Sequence, residues 1–127
     1  MTHMSPIPRR EWYFPVVLAL FFVVAGSFPY LYGYVTTPDD GDFMGFIGRG
    51  TPGANSYFAF ARQAAEGQSA FTNLYNPSAP PHAYRNLEWW LMGTASRLTG
   101  LSLIVLFHVG RALSAVALIL AVYYLCA

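Results

Sequence analysis

The sequence predicts an all-α membrane protein, with two transmembrane helices flanking a long external loop that carries two interfacial amphipathic helices. Three observations lead to this class. Of the 127 residues, 55% are hydrophobic and only 10% are charged, against roughly 25% charged in soluble domains. Two apolar runs, at 12–34 and 101–127, have the length scale of a bilayer crossing. The segment between them, 35–100, is rich in Gly, Pro and aromatic residues and contains two short stretches with helical periodicity.

The charge pattern narrows the functional classes. All seven basic residues are Arg, and the formal net charge is +1. That balance makes no field strong enough to draw nucleic acid or an acidic partner. The single cysteine, Cys126, excludes an internal disulfide and leaves the redox compartment open. No G-x-S-x-G, H-E-x-x-H, P-loop or dinucleotide fingerprint occurs.

The first span follows a short tail, 1–11. From Trp12 to Tyr34 the chain carries no charge, and at 1.5 Å per residue it spans roughly 34 Å, more than the roughly 30 Å of a hydrocarbon core. Trp12 and Tyr13 at one end and Tyr30, Tyr32 and Tyr34 at the other match the aromatic belts of membrane interfaces. Pro15 suits a first helical turn, and Pro29, which lacks an N–H, is expected to kink or end the helix. Arg9 and Arg10 precede the span and place the N-terminus in the cytoplasm, with 35–100 outside. The competing reading is a cleaved signal peptide, with Arg9-Arg10 as its basic region and Ala25-Gly26-Ser27 as its cleavage site. The length of the apolar run and the presence of a second span favour a signal anchor.

The loop opens at 36–53 with five Gly, two Pro and three Asp, the composition of turns. A helix of about three turns is expected at 55–66, in ANSYFAFARQAAEG. Asn55 or Ser56 would cap it, Tyr57, Phe60, Ala61, Ala64 and Ala65 would form its apolar face, and Gly67 would end it. Ala59, Arg62, Gln63 and Glu66 would share the opposite face. A helix this short must dock on a membrane surface or on protein to be stable. Pro77, Pro80 and Pro81 forbid a regular helix in the next segment and predict an extended, aromatic-studded loop. A second amphipathic helix is expected at 86–99, capped by Asn86, with Glu88 in its first turn and Thr99-Gly100 at its end. Its stripe is Leu87, Trp90, Leu91, Ala95 and Leu98, and the Trp89-Trp90 pair favours the headgroup layer.

The second span, 101–127, is interrupted by Arg111. If Arg111 lies near the interface it anchors there by snorkelling; if it lies deeper it requires a partner. The chain stops inside this apolar run, as a piece of a longer polytopic protein or a truncated gene product would.

The order of these parts resembles the N-terminal section of bacterial membrane glycosyltransferases of the GT-C class. The strings that carry the resemblance are NSYFAFARQAAEG, FTNLYNPSAPP and ASRLTGLSLIVLFHVGRAL, covering about 55–113. The resemblance implies a multi-pass enzyme of the bacterial inner membrane that takes sugar from a polyprenyl-phosphate donor on the external face. It also implies further spans or a partner subunit beyond those seen here. In that class a carboxylate just after the first span acts as general base or acceptor anchor, sometimes beside a divalent metal. The relatives carry an Asp two to four residues before the Ser-Tyr pair, where this chain has Gly53, Ala54 and Asn55. Asn cannot accept a proton as a carboxylate does.

On this reading Asp42 is the first candidate for the base and Asp40 the second. Asp39 and Asp40 also fit a Pro-Asp-Asp-Gly turn that needs no chemistry to explain it. The D-D-G-D spacing lacks the alternation and terminal Glu of a calcium loop. Arg111, and with a weaker pattern Arg85, would contact the donor phosphate through a guanidinium fork. Both also fit simple anchoring roles. His82 and His108 match no metal spacing and are taken as structural or incidental. The rival to an enzyme is an accessory or scaffold membrane subunit, or a decayed gene fragment.

Overall fold

The computed structural model describes residues 8–46 and 53–126. Among these, the chain is helical. A 3-10 turn at Arg9–Trp12 leads into α1 (Tyr13–Thr36), followed by α2 (Ala54–Ala65), α3 (Leu87–Thr99) and α4 (Leu103–Cys126). The described residues contain no strand, only an isolated antiparallel bridge between Phe71 and Tyr84. α1 with its leading turn, and α4, are each long and apolar enough to cross a membrane. The tail expected at 1–11 is described only from Pro8, and there Arg9–Trp12 is already wound, with the Glu11 N–H donating to the Pro8 carbonyl at 2.9 Å.

The chain divides into two compact units, one formed by Met1–Gly45 with Gly110–Ala127 and the other by Phe46–Val109. In the first, α1 buries Pro15 and Ala19, and its other less exposed positions, Val23, Gly26, Ser27 and Tyr30, continue the same face. Trp12 meets Tyr123 of α4 edge-on, with ring centroids 5.5 Å apart. The remaining surface of α1, including Phe14, Val17, Phe21 and Phe28, is apolar and exposed.

Pro29 does not end α1, which continues to Thr36. A proline removes one i→i−4 bond, and a long apolar helix tolerates that single loss. The helix stops where the next residue is restricted: Thr37 precedes Pro38 and lies in the extended region at φ −70°, ψ 125°. The hydroxyls of Thr36 and Thr37 donate back to the carbonyls of Tyr32 and Gly33, at 2.7 and 2.6 Å.

In the second unit α2 packs on α3 at a point of close approach. A Cβ on Gly93 would overlap the Ala61 carbonyl and lie 2.5 Å from the Ala64 Cβ. Only glycine permits this separation. Beside it, Phe60, Phe71 and Tyr84 form a stack, with Phe60 5.6 Å from each neighbour, and Phe71 is fully buried. Tyr57 stacks face to face on Trp89 at 5.3 Å. The aromatic loop is pinned by two backbone bonds across the bridge, Phe71 N–H to Tyr84 O at 2.7 Å and Tyr84 N–H to Phe71 O at 3.1 Å.

The helix ends written into the sequence are largely present. Asn86 accepts from the Trp89 N–H at 3.2 Å, and Gly100, at φ 72°, closes α3. Gly67, at φ 97°, closes α2 with the paired bonds of a Schellman motif, Gly67 N–H to Ala64 O and Gln68 N–H to Gln63 O.

Four expectations need correction. Neither Asn55 nor Ser56 caps α2; Gly53 occupies the N-cap and no side chain bonds there, because the helix starts one residue earlier. Gln63, assigned to the polar face, is buried: its amide brackets Thr72, donating to Thr72 O at 3.0 Å and accepting from Thr72 N–H at 2.8 Å. The face of α3 that packs is Trp89, Gly93 and Ser96, while Leu87, Trp90, Leu91 and Leu98 of the expected stripe are exposed. The second span-length helix starts at Leu103 rather than 101, since the Ser102 hydroxyl accepts from Val105 N–H and caps it.

Candidate functional site

The acidic cluster sits immediately after α1. Pro38 and Gly41 close a turn through a 2.9 Å bond from Gly41 N–H to Pro38 O, with Asp39 and Asp40 at its two central positions. The turn reading of Asp39 and Asp40 is therefore correct in geometry. Asp42 follows the turn and is exposed, as is Asp40. Its neighbour Phe43 anchors the segment: the ring lies over Gly33, where a Cβ would be 2.6 Å away, and meets Tyr34 edge-on at 4.8 Å. Asp42 is thus fixed between a closed turn and an aromatic anchor on the last turn of α1. No hydrogen bond or ion pair engages Asp40 or Asp42 among the described residues.

Arg111 lies within α4, two turns from its start, and turns toward α1. Its Nη2 donates to Ser27 Oγ at 2.9 Å, and its guanidinium carbon sits 5.0 Å from the centroid of the Tyr30 ring. Ser27 in turn donates to Val23 O at 2.6 Å, which fixes its oxygen as the acceptor. Gly26 makes the space, since a Cβ there would lie 3.0 Å from Nη1. The contacts of Arg111 among the described residues, Ser27 and Tyr30, are neutral. The Arg111 Nε–H is buried and has no hydrogen-bond partner. Whatever its place relative to a bilayer, Arg111 has neighbours in Ser27 and Tyr30.

Sequence reasoning missed these partners. Ala25-Gly26-Ser27 drew attention as a cleavage signal; the usable sign was a small residue, a hydroxyl and an aromatic ring at consecutive and i+4 positions on one face. Asp40, Asp42 and Arg111 belong to the same unit, and no described contact joins either aspartate to the arginine. Arg85 belongs to the other unit, exposed and one residue past the Phe71–Tyr84 bridge. His82 fills a structural role: its N–H donates to Thr72 Oγ1 at 3.0 Å and its Nδ1 lies 3.1 Å from Ala70 O, with the backbone at φ 54°. His108 packs against the Phe107 ring at 5.4 Å.

No group of three His, Cys, Asp or Glu side chains among the described residues could hold a metal ion. The donor set therefore does not fit a divalent cation held by these residues alone. The site's chemistry is that of exposed carboxylates at one helix end and a guanidinium held in an apolar helix pair. Compared with protein-family models, with curated proteins and with solved structures, the chain shows no match to any of them.

Proposed function

We propose that this chain is the N-terminal section of a membrane glycosyltransferase of the GT-C kind, acting at the external face of the bacterial inner membrane. In this reading α1 and α4 cross the membrane with the N-terminus cytoplasmic, and the segment between them lies outside, where a polyprenyl-phosphate sugar presents its headgroup. The observation that carries the reading is Arg111. Among the described residues the guanidinium meets only neutral groups, a costly arrangement inside a span-length helix unless an anion offsets its charge, and its buried Nε–H has no acceptor there. A phosphate supplies both.

The reaction follows from these groups. A carboxylate, Asp42 in first place, takes the proton of the acceptor hydroxyl. The hydroxyl oxygen forms the new bond to the anomeric carbon as the bond from that carbon to the phosphate oxygen breaks. The polyprenyl phosphate leaves with the electron pair, and its added negative charge is held by the arginine.

The test uses the complete reading frame expressed in membranes, with transfer of labelled sugar from polyprenyl-phosphate donors as the readout. Asp42→Asn lowers kcat by about 100-fold or more, the scale of a lost general base. Absence of transfer from every such donor, or full activity in Asp42→Asn, overturns the proposal.

A second reading rests on Asn55. It is exposed in the first turn of α2, without a capping bond, in the stretch 53–55 that lacks the Asp which the resembled enzymes carry before the Ser-Tyr pair. A non-enzymatic scaffold subunit retains the architecture without that carboxylate. Asn55→Asp separates the two, because only a chain with a working transfer site gains activity from it.

A further inference from the structure

We infer that α3 is the element that seats the Phe46–Val109 unit on the lipid surface, through the face bearing Leu87, Trp90, Leu91 and Leu98, and that α2 rides above it without touching lipid. The inference rests on the reading that α4 enters a membrane, and it is independent of sugar transfer.

Its starting point is the division of α3 into two faces. The face with Trp89, Gly93 and Ser96 is covered by α2. The opposite face is apolar and open: Leu87 is 70% exposed and Leu98 80%. Leu101, beyond the helix end, continues the open stripe toward α4 and is also exposed. An uncovered row of leucines with a tryptophan along about three helical turns is what an interfacial helix buries.

α2 has no such row left. Phe60, Ala61 and Ala64 are buried against α3 and Phe71. Its outer surface carries Arg62 and Glu66, 3.7 Å apart and mostly exposed. The two adjacent tryptophans are separated by the same division. Trp89 is stacked on Tyr57 inside the unit, whereas Trp90 lies on the open face.

Two further features make lipid the occupant. α3 and α4 are joined by only Gly100, Leu101 and Ser102, at most about 10 Å of chain. The open stripe therefore lies close to the start of a helix long and apolar enough to cross a membrane. The charge also fits: Arg85 precedes the helix and Arg97 lies in its last turn, both exposed, and Glu88 is the one acid within it. Anionic headgroups complement that balance.

The test is tryptophan quenching in nanodiscs of phosphatidylcholine and phosphatidylglycerol with bromine near the headgroup end of the acyl chains. Two single-tryptophan proteins are compared, Trp12→Phe with Trp89→Phe, and Trp12→Phe with Trp90→Phe. Trp90 fluorescence falls to about half in brominated lipid, as for a ring in the interfacial belt, and Trp89 fluorescence changes little. Leu98→Glu then restores much of the Trp90 signal. Carbonate extraction separates the failures. A chain released by carbonate defeats the membrane reading itself. A chain that stays in the membrane with Trp90 unquenched, or with Trp89 quenched equally, overturns the assignment of this face; Trp90 shielded by a second copy or another protein gives the first of these patterns.

Discussion

The two compact units dispose of their apolar residues in opposite ways. In the Phe46–Val109 unit, aromatic rings stack on one another and a glycine lets two helices touch. In the unit containing α1, the large apolar side chains point outward and the inward face is small or polar. The first pattern is a core made for water, where burial of apolar area is the driving force. The second suits a solvent as apolar as the side chains themselves, in which packing of small residues and a few polar contacts hold helices together. If α1 and α4 lie in a membrane, as proposed, the two units answer to different solvents, and mutations should reveal which applies at each position.

The largest effect belongs to Phe71→Ala. Its ring is fully buried between the aromatic loop and α2, and its loss costs about 3–5 kcal/mol. Hydrogen exchange of the α2 amides in nanodiscs reads it as faster opening. By contrast Phe21→Ala, on the exposed face of α1, leaves that exchange unchanged. Equal effects of the two would erase the distinction between the units.

Next comes Gly93→Ala. The added methyl overlaps Ala61 O, and forcing α2 and α3 apart costs about 1–3 kcal/mol. Protease cutting between α2 and α3 is the measurement, and cutting rates like those of the parent would show that the close approach is not needed. Gln63→Leu tests the buried bracket: it keeps the volume but strands Thr72 N–H and O, at a cost of about 1–3 kcal/mol. The expected signature is faster exchange of the Thr72 amide.

The smallest effect is expected at Ser27→Ala. Polar contacts between membrane helices average about 0.6 kcal/mol, so removing the Arg111 hydrogen bond weakens pairing of α1 with α4 only slightly. Disulfide trapping between cysteines placed at Trp12 and Tyr123, which already meet, reports it as a modest loss of cross-linked product. Gly26→Leu should exceed it, because the notch itself is then filled.

Reading the chain in order reached some elements and not others. Both span-length helices were visible from composition alone. Asn86, Gly67 and Gly100 were readable as helix ends, since a cap is satisfied within a few residues of its own backbone. The turn at 38–41 was readable for the same reason. The packing face of α3 was not: leucine periodicity pointed to Leu87, Trp90, Leu91 and Leu98, whereas α2 approached along Gly93, where nothing projects. A hydrophobic pattern marks a face that avoids water but does not name what will cover it. For the candidate site, Asp40, Asp42 and Arg111 stood out as charges beside or inside apolar runs. The partners of Arg111 did not, because Ser27 and Tyr30 are distant in sequence.

The sequence by itself determined that four helices form, several of their ends, which two are apolar enough to cross a membrane, and where the few charges fall. These depend on local backbone chemistry and on composition. Only the tertiary structure decided that Gln63 brackets Thr72, that Trp89 stacks on Tyr57 while Trp90 stays exposed, and that Arg111 lies in the notch of Gly26, Ser27 and Tyr30. Each of these is a contact between segments far apart along the chain, set by which surfaces fit closely enough to exclude everything else.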